Sequence, residues 1–201
     1  MNTHLKHALT ALLCTASVAT QAADATAYGD VDIGPRFTAS GDLIQPDGFR
    51  SWVFLGAPLT PHALNGGKAG FPEFHNVYVE AAAHRHYLAT GEWPEGTVLV
   101  KELQLTQPGS HADGSRDEPS GRGYFPGTPN GLDVSVKDTR RYPATQGWGF
   151  FNFGHHAPPY AAQAAAAPRE ACAACHETKA DADMVFSRFY QQLKPLPKPA
   201  P

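Results

Sequence analysis

Cys172-Ala173-Ala174-Cys175-His176 is the segment whose residue types and spacing prescribe the most particular chemistry. Two thiols at this separation can reach the two vinyl groups on one edge of a porphyrin, while the adjoining His swings beneath the ring to the iron. Cys-x-x-Cys-His therefore reads as a c-type haem attachment site. Cys172 and Cys175 would hold the cofactor covalently and His176 would be the metal ligand. Two other readings use the same thiols: a disulfide, the default for a cysteine pair in an oxidising compartment, and a thioredoxin-like redox pair. A redox pair ordinarily lies early in a βαβ unit, whereas this one is near the C-terminus. An electron-carrying cytochrome also needs a second axial ligand, commonly a Met well downstream. Met184 follows His176 too closely to reach the opposite face of the ring, so the motif predicts an open distal position for a small ligand.

A second candidate comes from strand alternation. In Thr97-Val98-Leu99-Val100-Lys101-Glu102-Leu103-Gln104-Leu105, the period of two places Lys101 among Leu99, Leu103 and Leu105. A Lys on an apolar face either pairs, loses its proton to become a nucleophilic amine, or snorkels to water from an exposed strand end. His75 shares a face with Val77 and Val79, as a pocket residue or as a packed core histidine. Lys101 and His75 are the candidate catalytic residues. His84 and His86 flank Arg85 on a short helix and are expected in solvent, while His155 and His156 are either ligands or loop caps.

These residues need a sheet to carry them and a covering segment to bring the motif against it. Apolar runs bounded by Gly, Pro and Asn predict strands over Trp52-Leu55, Phe74-Val79, Thr97-Leu105, Leu132-Val136 and Trp148-Phe153. Ala81 to Thr90 predicts a helix stopped by Gly91, and Asp181 to Leu193 another, with Val185, Phe186, Phe189, Tyr190 and Leu193 at helical spacing. Ala161 to Ala167 is a further helix candidate, ended by Pro168. The Gly, Ser, Pro and charge-rich stretch from Gln107 to Gly123 predicts a mobile loop between strands. The expected fold class is α+β: a mainly antiparallel β-sheet with a few helices and a C-terminal helical segment carrying the haem motif.

The first residues set the compartment. Lys6, the apolar stretch from Ala8 to Ala19 and the small residues near Ala22 form a secretory signal over residues 1–23, with cleavage after Ala22 or Ala23 and delivery to the periplasm. Cys14 lies within this run, so two cysteines remain in the mature chain. Residues 24–194 are expected to form one haem domain and 195–201 a stiff Pro-rich tail. A formal charge of −3 without a basic block argues against nucleic acid as a partner, and no later segment is apolar enough to predict a membrane span.

The segments Phe49-Arg50-Ser51-Trp52-Val53, Phe74-His75-Asn76-Val77-Tyr78, Thr90-Gly91-Glu92-Trp93-Pro94-Glu95-Gly96-Thr97, Val100-Lys101-Glu102-Leu103, Val136-Lys137-Asp138, Gly147-Trp148-Gly149-Phe150 and Cys172 through Phe186 resemble, in order and spacing, the cytochrome P460 family. The resemblance covers nearly the whole mature chain. It implies a largely β domain that forms a homodimer and holds one five-coordinate haem c, with His176 proximal. In hydroxylamine-oxidising members a Lys in the position matching Lys101 bonds to a meso carbon of the porphyrin. Related cytochromes c′-β lack that Lys and bind nitric oxide or carbon monoxide in an apolar pocket. The resemblance thus implies oxidation of hydroxylamine through an iron–nitrosyl to nitrous oxide or nitrite, with electrons leaving to a soluble periplasmic cytochrome. Gas binding without turnover is the alternative. This chain departs from the family at His75, where some members have Arg. It departs again in the segment before the motif, where active members can carry a carboxylate and Ala164 to Ala167 stand, with Glu170 nearby.

Overall fold

Alternation of side chains along neighbouring strands builds the sheet. The structure, a computed structural model, describes residues 34–194, so the expected export signal and Pro-rich tail lie outside the described residues. In chain order the elements are β1 (Leu43–Ile44), β2 (Val53–Gly56), β3 (Phe74–Val79), α1 (Ala81–Thr90), β4 (Val98–Thr106), β5 (Arg116–Glu118), β6 (Gly121–Gly123), β7 (Pro126–Lys137), β8 (Trp148–Asn152), β9 (Gln163–Ala164) and α2 (Ala173–Lys179). The main sheet has five strands in the order β2-β3-β4-β7-β8, every neighbouring pair antiparallel. With α1 and α2 against it, this is the α+β fold that the sequence predicts.

β4 is the central strand, and its register aligns the site. Lys101 faces Val77 of β3 on one side and Asp133 of β7 on the other, while His75 lies opposite Leu103. One sheet face presents Val77, Val79, Leu99, Trp148 and Phe150, covered by Ala83 of α1, Trp93, Ala173 of α2 and Met184, Val185, Tyr190 and Leu193 of the C-terminal segment. The other presents Val98, Val100, Leu132, Val134, Val136 and Phe151, covered by Leu43, Phe49 and Ala164. Burying each such large side chain contributes about 1.5–3 kcal/mol relative to leaving it in water. β4 is therefore buried on both faces. Glu102, on the face opposite Lys101, is only 3% exposed. Its charge is matched by the guanidinium of Arg50, which donates through Nε at 3.2 Å and through Nη2.

Three expectations are corrected. Asp181 to Leu193 is not an α-helix but three short 3-10 turns, Ala182–Met184, Ser187–Phe189 and Gln191–Leu193. Asp183 and Met184 take left-handed backbone angles (φ 60° and 61°), and Asp181 binds the Arg188 backbone N–H at 2.7 Å instead of leaving it to a helical carbonyl. Ala161 to Ala167 is extended, because Ala164 pairs with Leu43 and Ala166 with Phe151, so sheet pairing overrides the helix preference of alanine. The stretch from Gln107 to Gly123 contains the hairpin β5–β6, pinned by Arg122 on Asp113 at 2.8 Å. Where the sequence signal is local, it holds: α1 spans Ala81–Thr90 and ends on a left-handed Gly91 (φ 78°).

The C-terminal segment is tied to the sheet through Asp183, which accepts from Lys137 Nζ at 2.5 Å and from Trp148 Nε1 at 2.9 Å. Lys137 is 14% exposed and Trp148 1% exposed, so removing the carboxylate strands a charge and an indole N–H. Asp183→Ala is expected to cost about 2–4 kcal/mol in urea unfolding of the holoprotein. Asp183→Asn, which can still accept from the indole, is expected to lose less.

Candidate haem-binding site

α2 begins within the Cys-x-x-Cys-His motif. Cys172 is its N-cap, Ala173 is buried against the sheet, and His176 follows one turn on. The His176 Nδ1 lies 2.7 Å from the carbonyl oxygen of Met184. A carbonyl can only accept, so the ring proton sits on Nδ1 and the Nε2 lone pair is left for a metal. The ring is flanked by Phe150 and Phe186, with centroids 4.5 and 5.0 Å away. Burial pushes the His176 pKa below the usual histidine value, which keeps the imidazole neutral, the form that ligates. Cys172 and Cys175 are free thiols, the first half-buried and the second exposed. Burial pushes the Cys172 thiol up, and the Asp133 carboxylate pushes it further the same way.

The candidate residues of the sheet gather on the face that α2 covers. Lys101 Nζ lies 3.0 Å from Asp133 Oδ2, and Asn152 Nδ2 donates to Asp133 Oδ1 at 2.6 Å. Of the three fates open to Lys101, the structure selects pairing. The Phe71 ring lies 4.4 Å from the same Nζ, edge-on to His75 and stacked on His155. His75 Nε2 approaches the Phe71 carbonyl at 3.3 Å, so its ring is held at the edge of this group. The charge of Lys101 lowers the proton affinity of both His75 and His176 while that of Asp133 raises it, which places all four residues in one electrostatic neighbourhood.

Other expectations divide. His155 donates from Nε2 to Glu73 at 2.8 Å and so ties the loop after β8 to the start of β3. Glu73 is 1% exposed, and although its burial opposes ionisation, the hydrogen bonds from His155 and Asn130 hold its carboxyl below the usual range. His156 bonds the neighbouring Ala157 carbonyl. His84, expected in solvent, bonds the Gln192 carbonyl at 2.9 Å and links α1 to the C-terminal segment, whereas His86 is exposed. Before the motif, Ala167 packs against the covered face and Glu170 is exposed. Asp133, Asn152, Phe71 and the Glu73–His155 pair went unread in the sequence. For Asp133 a signal existed in the alternation Gly131, Asp133, Ser135 opposite Leu132, Val134, Val136.

The donor set fits a haem. Among the described residues no three His, Cys, Asp or Glu side chains converge as a metal site, so a single neutral His beside two free thiols suits an iron whose other ligands come from a porphyrin. A cleft of about 660 Å³ lies elsewhere, on the opposite face between Arg50, Phe54, Tyr78 and Glu102. Four of its polar side chains are paired with one another, Arg50 with Glu102 and Asn76 with Gln104.

Burial, with a smaller effect of Lys101, holds the His75 pKa below its ordinary 6.5. Below pH 6.5 the unfolded chain therefore binds a proton at His75 that the folded chain resists, and stability falls with pH. His75→Gln is expected to lose less stability than the parent as pH drops through this window, measured by urea unfolding at stepped pH.

No helix among the described residues is long and apolar enough to cross a membrane. Comparison with individual curated proteins gives no match. The family profile described as Cytochrome P460 matches residues 46–187. The match spans the sheet strands that carry His75, Lys101 and Asp133 and runs through the Cys172–His176 helix, and on that extent the chain belongs to the cytochrome P460 family, a family of haem proteins.

Proposed function

We propose that this protein is an exported, mono-haem c-type cytochrome that oxidises hydroxylamine. Cys172 and Cys175 would hold the porphyrin edge and His176 would ligate the iron. The observation that carries the reading is the register that sets Lys101 opposite Val77, on the sheet face that the motif helix covers. Bound haem would supply a metal that takes a small nitrogen donor at its open position and accepts electrons from it.

The chain's own residues have separate tasks. The Met184 carbonyl fixes the His176 tautomer and strengthens it as a donor. Lys101 acts through a bond from Nζ to a porphyrin carbon and not as a free base. Phe71, with its ring 4.4 Å from Nζ, offers the ammonium a cation–π contact. His75, neutral and at the edge of the group, can take a proton from an incoming substrate. Electrons would leave to a soluble periplasmic cytochrome, the working unit would be a homodimer, and nucleic acid and membrane insertion have no part.

A second reading, capture of nitric oxide or a similar gas without turnover, is favoured by one observation. The segment before the motif offers packed Ala167 and exposed Glu170, hence no carboxylate that would deprotonate a bound substrate from there. Steady-state oxidation of hydroxylamine with a soluble electron acceptor separates the two, since a gas-binding protein gives no sustained turnover.

Lys101→Ala is expected to keep covalent haem, seen in the intact mass. It should lose the red-shifted ferrous absorption for which the family is named, and slow hydroxylamine oxidation by at least about tenfold, which is ~1.4 kcal/mol of barrier. An unchanged spectrum would remove the Lys101 bond from the reading. His176→Ala, by contrast, is expected to retain thioether-bound haem and lose the proximal-ligand spectrum at neutral pH.

A further inference from the structure

We propose that Asp133 is the positioning residue for Lys101: it holds the amine at one point so that a single porphyrin carbon can meet it. This inference rests on the reading that Lys101 bonds to the haem. Three attachments, at Cys172, Cys175 and His176, would set the edge and face of the ring, and a productive contact then depends on where Nζ is kept. A lysine side chain alone does not keep it anywhere, because its flexible four-carbon stem samples many rotamers.

Asp133 removes that freedom from a rigid position. It is the cross-strand partner of Lys101 in the β4–β7 register, and its Oδ2 lies 3.0 Å from Nζ. Its other oxygen is held by Asn152, the cross-strand neighbour on β8, so the carboxylate itself cannot swing away. Lys101 and Asp133 are 30% and 24% exposed, so water competes less for this pair than for surface ion pairs. The Phe71 ring lies 4.4 Å from the same Nζ, so the amine contacts a ring as well as a carboxylate. The other titratable groups that sense this pair are His75, His176 and Cys172, and none of these is an acid that could replace Asp133.

Formation of the bond starts from the paired ammonium. Two N–H bonds and one C–H bond break as one N–C bond forms. Two electrons pass to a peroxide, which is reduced to two waters using two of the three released protons, and one proton remains. A carboxylate against Nζ is placed to receive the first proton, without which the nitrogen has no lone pair to offer.

The test compares the holoprotein with Asp133→Asn and Asp133→Ser, each carrying covalently attached haem, by ferrous absorption and by mass mapping of the proteolysed haem peptide for an attached Lys101 peptide. Asp133→Asn keeps the shape of the side chain without its charge. Asp133→Ser falls short of Nζ and serves if the first variant does not fold. The expected result is a linked fraction reduced at least about fivefold in either variant while the His176-ligated haem spectrum is retained. Linkage equal to the parent's in either variant overturns the role of Asp133 and leaves the Lys101 bond standing. A parent protein with no Lys101 link overturns the bond itself, and the role of Asp133 with it.

Discussion

Two consecutive charged residues on the central strand govern how this structure is put together. Lys101 and Glu102 point to opposite faces of β4, and both faces are covered. An unpaired charge in such a place costs several kcal/mol, so each face must supply a counter-ion at one position. On one face Arg50 answers Glu102, which fastens the turn before β2 to the sheet. On the other Asp133 answers Lys101, which adds an ionic tie to the β4–β7 register. The first pair is structural and closes on itself. The second lies on the face that the motif helix covers.

The covering layer obeys a different constraint. The His176 imidazole has its Nδ1 proton held by an acceptor, a backbone carbonyl that follows on the same chain. A continuous helix through Met184 would commit that carbonyl to the helix ladder. The left-handed residues Asp183 and Met184 break the ladder and free it. Their backbone strain is offset by Asp183, whose carboxylate joins Lys137 and Trp148 of the sheet. Sheet, covering segment and imidazole are therefore connected through one loop.

The same contrast explains which elements were legible. β3 and α1 have their predicted bounds because alternation and a glycine stop are local signals. Asp181 to Leu193 has a helical spacing of apolar residues, yet those residues reach the core from successive 3-10 turns, since Asp183 finds better partners on the sheet than along the chain. Ala161 to Ala167 has a helical composition and an extended structure, because strand edges at Leu43 and Phe151 were waiting for partners. In both places part of the competing interaction comes from residues more than ten positions away.

For the candidate site, the residue types and spacing at Cys172, Cys175 and His176 were enough to raise the haem reading, since the whole pattern lies within five consecutive residues. Period-two alternation also sufficed to mark Lys101 as a charge needing a partner. The identity of that partner was a matter of register: Asp133 is brought to Lys101 only when β7 pairs with β4 across the β5–β6 hairpin. The clustering of Phe71, His75 and His155, and the free carbonyl of Met184, were likewise decided by the folded chain. Covalent reactivity belongs to a residue and its immediate neighbours, whereas a counter-ion or a tautomer depends on which distant backbone arrives alongside.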